Sequence, residues 1–348
     1  MNENELLEPL NEEECDFVST LSNLEIQNNA SKTRIRRNWL DVLETLLRDH
    51  KKIHHPKIPI SDDKEALVIV ISDNHFGKIR HSLKPPYKEV FNLKIADKRM
   101  SQLFDEAIEE ISHNPAAYDQ VKICMLGDHI EGDGSTYPTQ GFLTDDIVHA
   151  QTAAFITSLN KNIKKLNDFF IETYDKLLPV DFHWVPGNHG TPKSKLSRHP
   201  DDNWDKGVAK AWETTIRSLQ LHDPNIMKNV TNEYKTNLGD SQSININIKG
   251  WNFHLRHIMK KSAGTPSSDR EAFVLHGIHN ADVVLTGHYH YQLIVEVGKT
   301  TIVRSSSMCG YDDFADTIAA PYSQASQMIL SVSKERKIKK IITVYFKD

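Results

Sequence analysis

Apolar runs alternate with amphipathic stretches from about residue 66 to residue 230. Apolar runs of strand length, bounded by polar turns, predict strands at Ala66–Ser72, Val121–Leu126 and Val180–Val185. Apolar positions at helical spacing predict helices at Lys94–Ser112, Ile147–Leu177 and Asn203–Leu219. This β-α-β-α order predicts a mostly parallel sheet that binds its ligands at the carboxyl ends of the strands.

After about residue 230 the pattern predicts strands almost exclusively. Ile244–Ile248 and Trp251–His257, joined by Lys249-Gly250, have the pattern of a hairpin. Four more strands are predicted at Asp282–Thr286, Thr300–Ser306, Gln327–Val332 and Ile338–Phe346. We therefore predict an α/β catalytic domain over residues 61–348, in which two stacked mixed β-sheets are flanked by helices.

The first 60 residues predict a separate, small helical segment followed by a linker. Apolar residues recur there at helical spacing, namely Trp39, Leu40, Leu43, Leu46 and Leu47. One such stripe suits a helix pair that docks on another surface, and this interpretation is favoured over a helix-turn-helix. The proline-containing stretch His54–Asp63 has the composition of a linker.

The composition indicates where the protein resides and which kinds of cysteine site it lacks. The 348 residues are 39% hydrophobic and 26% charged, as in ordinary soluble proteins. No apolar run is long enough to cross a bilayer, and the acidic N-terminus lacks the features of a secretory signal, so we expect a cytoplasmic protein without a membrane partner. Three widely spaced cysteines indicate neither a disulfide framework nor a thiolate zinc site.

Five polar blocks each follow a predicted strand. They are Asp73-Asn74-His75, Gly127-Asp128-His129, Gly187-Asn188-His189, the lone His257, and Gly287-His288-Tyr289-His290. If the preceding runs are strands, these side chains project from loops at one edge of a sheet. Carboxylates and imidazoles together suit divalent ions such as Mn²⁺, Fe²⁺ or Zn²⁺. The blocks therefore predict a metal site.

These blocks, in this order, resemble the five motifs of the calcineurin-like metallophosphoesterases. The resemblance implies their four-layer fold and two divalent ions, with Mn²⁺ preferred and Mg²⁺, Fe²⁺ or Zn²⁺ as alternatives. It implies a first ion on Asp73, His75 and His290, a bridging Asp128, and a second ion on Asn188, His257 and His288. His257 is preferred to His254 because it shares a strand face with Phe253 and Leu255.

The resemblance also implies a reaction. A hydroxide held between the two ions would attack phosphorus, while both ions neutralise charge on the phosphoryl oxygens. Asp128 would be catalytic through its bridging position. His189, free of metal, would stabilise the transition state or protonate the leaving oxygen.

Differences between subfamilies indicate a substrate. The serine/threonine phosphatases carry Gly-Asp-x-x-Asp-Arg-Gly, whereas this chain has Gly127-Asp-His-Ile-Glu-Gly132 and lacks the arginine. The block is more similar to Mre11/SbcD-type nucleases and to phage-encoded relatives labelled as DNA repair exonucleases. The latter also share Tyr137-Pro-Thr-Gln140, Asp202-Asn-Trp-Asp205 and Gly310-Tyr-Asp-Asp-Phe-Ala315. Gly190 departs from the aspartate usual in Mre11, which leaves the orientation of His189 open.

We therefore expect a nuclease that hydrolyses DNA phosphodiester bonds as an exonuclease or end-processing enzyme. Basic residues after the first and third blocks are candidates to hold the phosphate backbone, although each also fits a solvated loop: Lys78, Arg80, His81, Lys84, Lys88, Lys193, Lys195 and Arg198. Tyr137 is a candidate for stacking on a base. A partner ATPase subunit and a homo-oligomer both stay open.

Two other functions fit the same residues. One is a phosphodiesterase or phosphatase for nucleotides or other small phosphoesters, with the same ions and a narrower pocket. The other is a non-catalytic assembly subunit, which the complete set of ligands disfavours.

Overall fold

Neighbouring parallel strands form the centre of the structure. The structure is a computed structural model and describes residues 64–81, 90–134, 136, 140–145, 147–191, 203–233, 243–257, 280–312 and 322–347. The predicted helical segment over residues 1–60 lies outside these ranges, so its separation from the catalytic domain stays a prediction. In the described part no helix is long and apolar enough to cross a membrane.

Two mixed sheets contain most of the described strands. The strands are β1 (Glu65–Ile71), β2 (Arg80–His81), β3 (Val90–Phe91), β4 (Tyr118–Met125), β5 (Val180–Trp184), β6 (Val230–Glu233), β7 (Ser243–Ile248), β8 (Trp251–Arg256), β9 (Val283–Thr286), β10 (Leu293–Val297), β11 (Thr300–Arg304), β12 (Ser326–Val332) and β13 (Lys340–Tyr345). The first sheet has the order β13-β12-β1-β4-β5-β6, and the second has the order β10-β11-β9-β8-β7. Strands β1, β4, β5 and β6 run parallel, as do β8, β9 and β11, whereas β12 is antiparallel to β1 and β13, β10 to β11, and β7 to β8.

The two faces of β1 bury different cores, which explains its uninterrupted apolar sequence. Leu67, Ile69 and Ile71 belong to the larger core, which includes the buried faces of the helices. Val68 and Val70 belong to a second core with residues of the other sheet such as Phe253 and Leu255. Because successive strand residues point to opposite faces, β1 lies between a helix layer and the second sheet.

Three helices are described: α1 (Leu93–His113), α2 (Val148–Tyr174) and α3 (Trp204–His222). The side chain of Asn92 accepts a hydrogen bond from Ile95 N at the start of α1. Asn203 caps α3 in the same way, accepting from Asp205 N. These caps satisfy free backbone donors and fix where each helix begins. The cap of α3 places the first turn of that helix beside the loops after β4 and β5.

The predicted fold class is confirmed. Two stacked mixed sheets flanked by helices are present, and every strand and helix predicted after residue 66 overlaps an observed one. Four strands were not predicted: β2, β3, β6 and β10. Strands β2 and β3 have two residues each, and β6 has the polar sequence Val-Thr-Asn-Glu, so none of these three gives a clear apolar pattern. In the described residues, helices cover the first sheet. The outer helix layer implied for the second sheet is not among them.

Candidate metal centre

Backbone hydrogen bonds continue between β1 and β4 beyond the strand ends and align the first two blocks. Asp73 N donates to Gly127 O at 3.0 Å, and His75 N donates to Asp128 O at 3.0 Å. Both loops leave the carboxyl ends of parallel neighbours, where such strands present side chains to a ligand. The alignment brings Asp73, His75 and Asp128 to one edge of the sheet.

Left-handed backbone conformations concentrate at this edge. Eight described residues other than glycine have positive φ, and five of them are Asp73 (50°), His75 (46°), Asp128 (52°), His288 (76°) and His290 (56°). Each such conformation costs on the order of 1–3 kcal/mol and persists only where the surroundings impose it. All five are predicted metal ligands, so the strain coincides with the candidate site.

One group of side chains surrounds Asp128. His257 Nε2 lies 3.0 Å from Asp128 Oδ2 and 3.0 Å from Asn188 Oδ1. The ring of His288 packs against that of His257, with centroids 5.2 Å apart. Donor atoms of Asp128, His257 and His288 lie within 4.8 Å of one another. The structure thus brings together the four side chains assigned to the second ion, including the bridging carboxylate.

A second group surrounds Asp73. His75 Nε2 lies 3.2 Å from His290 Nε2, which lies 3.4 Å from Asp73 Oδ1. The same oxygen of Asp73 is 3.9 Å from His257 Nε2, so the two groups adjoin. The thiol of Cys309 lies within 4.8 Å of the donor atoms of His75 and His290. Sequence spacing gave no signal for this cysteine, because it lies outside the five blocks.

Charge and burial fit this donor set to cations. Asp73 and Asp128 are almost completely buried, which would raise the pKa of both carboxyls, yet the combined positive field of His257 and the other nearby imidazoles holds both pKa values below the ordinary value. Burial, reinforced by His257, lowers the pKa of His288 to about 3, which keeps that imidazole neutral, the form that binds metal. Buried carboxylates require compensating positive charge. Two divalent cations therefore fit the residues present.

His189 lies where both groups meet. Its backbone N donates to Asp128 Oδ1 at 2.8 Å, and its Nδ1 lies 3.2 Å from Gln140 Nε2 and 3.5 Å from Glu131 Oε2. Burial alone would lower the pKa of His189, but the charges of Glu131 and Asp128 raise it. A donor atom of His189 is within 4.8 Å of donor atoms of His75 and Asp128. Its proposed freedom from metal therefore stays a prediction.

Outer partners anchor three of the imidazoles through Nδ1. Glu131 Oε2 lies 2.8 Å from His75 Nδ1, Asp312 Oδ1 lies 3.1 Å from His290 Nδ1, and His257 Nδ1 lies 2.7 Å from Leu126 O. Such contacts fix ring orientation and leave Nε2 for the metal. Sequence analysis missed both carboxylates. Both had a sequence signal, since Glu131 belongs to the second block and Asp312 to the Gly310–Ala315 motif, but neither was assigned a role.

Asp205 forms hydrogen bonds to the loops after β4 and β5. Its carboxylate accepts from Asp128 N at 2.8 Å, His129 N at 3.0 Å and Gly187 N at 2.8 Å. Gly187 leaves no room for a side chain, since an added Cβ would collide with Asp128. In the sequence analysis Asp205 appeared only as part of a motif. Its structural role is to hold the loops after β4 and β5 in contact.

The predicted substrate-binding residues fare differently. Lys78 is buried, and its Nζ donates to Asp312 Oδ2 at 2.6 Å, so it does not line an exposed wall as predicted. Arg80 lies half-buried on β2. Tyr137 and Lys193 lie outside the described residues, together with Lys84, Lys88, Lys195 and Arg198. Those assignments stay predictions.

No protein-family model matches the chain, and no curated protein does. Solved structures give weak matches. An uncharacterised protein of Streptococcus pneumoniae, described as a predicted phosphoesterase, is 10% identical, with a TM-score of 0.31 over 80% of this chain and 98% of that one. An archaeal phosphodiesterase is 15% identical, with a TM-score of 0.34 over 80% of this chain and 99% of that one. Vps29 of Entamoeba histolytica in complex with Zn²⁺ is 15% identical, with a TM-score of 0.29 over 81% of this chain and 99% of that one. TM-scores this low support no conclusion about activity.

Asp128→Asn is expected to abolish the binding of at least one Mn²⁺, because the neutral amide no longer balances the cations at the point where both groups meet. We expect affinity to fall by at least about 100-fold, since even outer partners contribute 10–100-fold. Isothermal titration of the full chain measures this. The surface variant Asp105→Asn is the control, and equal binding by the two variants would contradict the assignment of Asp128.

Asp205→Ala is expected to destabilise the protein by about 2–4 kcal/mol, because three buried backbone N–H groups lose their acceptor. Urea unfolding measures the free energy. Asp205→Asn retains one side-chain acceptor oxygen and should lose less. A loss below about 1 kcal/mol for the alanine variant would show that these hydrogen bonds contribute little.

Proposed function

We propose that the chain is a metal-dependent phosphoesterase that hydrolyses phosphodiester bonds in DNA, as an exonuclease or end-processing nuclease. One observation carries the phosphoesterase part. Five sequence blocks, up to 217 residues apart between Asp73 and His290, converge where strand ends of the two sheets meet, with two buried carboxylates between two groups of imidazoles. Asp73, His75 and His290 would hold one ion, Asn188, His257 and His288 the other, and Asp128 would bridge them.

Two divalent ions bound there, Mn²⁺ in this proposal, would lower the pKa of a water molecule to supply hydroxide and would offset phosphoryl charge. The residues of the chain keep the site ordered. Asp128 receives the His189 backbone N–H on Oδ1 and faces His257 through Oδ2, so its carboxylate has both oxygens fixed. Preorganised charge of this kind needs no rearrangement during reaction.

His189 is suited to donate a proton to the leaving oxygen. Glu131 and Gln140 lie on its Nδ1 side, and the neighbouring carboxylates favour its protonated form. Glu131 itself is completely buried, and despite the opposing effect of burial the charges of His189 and Lys78 hold its pKa well below the ordinary value. An ionised partner fixed beside an imidazole is the usual way to orient a general acid.

DNA as substrate is supported by the resemblance of the second block and the Tyr137-Pro-Thr-Gln140 loop to phage-encoded nucleases. Gln140 begins a 3₁₀ turn at Gln140–Leu143 and reaches Glu131, with its Nε2 3.0 Å from Glu131 Oε1. Gln140, the last residue of this motif, therefore lies beside the proposed acid. Tyr137 is proposed to stack on a base. Arg80 and Lys193 are the remaining proposed phosphate contacts.

His189→Ala is expected to reduce hydrolysis of a chromogenic phosphodiester about 100- to 10,000-fold, because general-acid catalysis contributes that much. The fold should survive, as judged by circular dichroism and melting temperature. The exposed His222→Ala on α3 is the matched control. Unchanged turnover in purified His189→Ala would refute its role.

DNA specificity is tested by incubating the protein and Mn²⁺ with end-labelled single- and double-stranded DNA, beside the chromogenic phosphodiester. Shortened DNA products are expected, and chelation of the metal should stop both reactions. If only the dye substrate is cleaved, the DNA proposal fails and the enzyme is a phosphodiesterase for small phosphoesters. If neither is cleaved, the phosphoesterase proposal fails as well.

A further inference from the structure

The contacts of Lys78 and Asp312 point to a role other than substrate binding. We propose that these two residues form an outer pair that positions His290 and sets the affinity of the first ion. This inference rests on the proposed metal centre. It concerns positioning residues, since neither side chain is among the proposed ligands.

Asp312 uses both carboxylate oxygens inside the protein. Oδ1 lies 3.1 Å from His290 Nδ1, and Oδ2 accepts a hydrogen bond from Lys78 Nζ at 2.6 Å. The side chains of Lys78, Asp312 and His290 are only 7%, 2% and 2% exposed. Because little water reaches them, the contacts keep most of their directional strength.

The carboxylate determines which nitrogen of His290 carries the proton. Asp312 Oδ1, 3.1 Å from Nδ1, favours a proton on that nitrogen, so the tautomer with N–H at Nδ1 is the preferred one. Nε2 then carries the lone pair. This nitrogen faces Asp73 Oδ1 at 3.4 Å and His75 Nε2 at 3.2 Å, where the first ion would lie. Asp312 therefore holds the ring in the tautomer that binds metal.

Lys78 places a positive charge against Asp312 in the interior. Asp73, Asp128 and Glu131 already bring negative charge to the same region, and a further unpaired carboxylate there would be costly. Lys78 also belongs to the loop of a proposed ligand, since its backbone N donates to His75 O at 2.9 Å. The pair thus ties the loop of His75 to the loop of His290.

The second ion group shows a different outer contact. Its His257 is anchored by the carbonyl of Leu126 at 2.7 Å, and that carbonyl belongs to the strand end itself. Loss of Lys78 or Asp312 should therefore weaken one of two ions and leave the other. A substrate-wall role for Lys78 predicts the opposite, namely intact metal binding and weaker DNA binding.

The test titrates the full chain with MnCl₂ by calorimetry, comparing wild type, Asp312→Asn and Lys78→Met. We expect two sites in the wild type, with one site weakened about 10- to 100-fold in both variants. The ¹⁵N shifts of the His290 ring should also move in Asp312→Asn, because a neutral amide replaces the charged acceptor at Nδ1. DNA affinity measured in EDTA should change less than about 2-fold.

Lys122→Met is the matched control, since Lys122 forms an ion pair with Asp181 that is similarly shielded but belongs to β4 and β5, away from the loops. It should retain both sites. If a single variant does not fold by circular dichroism, the double variant Lys78→Met/Asp312→Leu removes both charges together and is titrated instead, with the same weakening expected.

The outcomes separate the two proposals. A wild type that binds no Mn²⁺ overturns the metal centre, and with it the pair. A wild type with two sites and variants with unchanged affinities overturns the pair alone. Weaker DNA binding by Lys78→Met with unchanged metal binding returns this lysine to the substrate wall.

Discussion

The contact between buried carboxylate and imidazole at the end of the first sheet is the constraint on which the site depends. Asp128 faces His257 through Oδ2, receives the His189 backbone through Oδ1, and its own backbone joins β4 to both the β1 loop and Asp205. A carboxylate in this position is tolerated only with positive charge nearby. Parallel strands supply the geometry, and cations would supply the charge.

The backbone around this charge is rigid for the same reason. Left-handed conformations at ligand positions are unfavourable locally, and they are held by long-range hydrogen bonds such as Met308 N to Asp73 O at 3.0 Å. Close approach adds a second restraint. A Cβ on Gly287 would collide with the side chain of Ser72, so the loop after β9 can reach Asp73 only with glycine there. These contacts restrain the loops that carry the proposed ligands.

How much of this could be predicted from sequence depends on distance along the chain. The strand-end blocks were readable because parallel strands bring the residues that follow them to one side of a sheet, whatever their separation. The single sheet edge expected from sequence was wrong, because β8 and β9, which precede His257 and Gly287, belong to the second sheet. Glu131 and Asp312 lie within recognised motifs, but the partner of Lys78 was not readable. Lys78 follows a ligand block and is basic, which indicates an exposed contact, but its partner Asp312 is 234 residues away. Burial of a lysine depends on such a partner, and one sequence does not reveal it.

The outer contacts also make the two ion groups unequal. His75 and His290 each have a buried carboxylate at Nδ1, whereas His257 has a neutral carbonyl. A carboxylate makes its imidazole the more basic ligand, so the group around Asp73 is the stronger electron donor. Glu131 belongs to both functions, since the same carboxylate contacts His75 and His189. The charge that strengthens the first ion group is thus the charge that orients the proposed acid, and removing it would affect metal binding and proton transfer together.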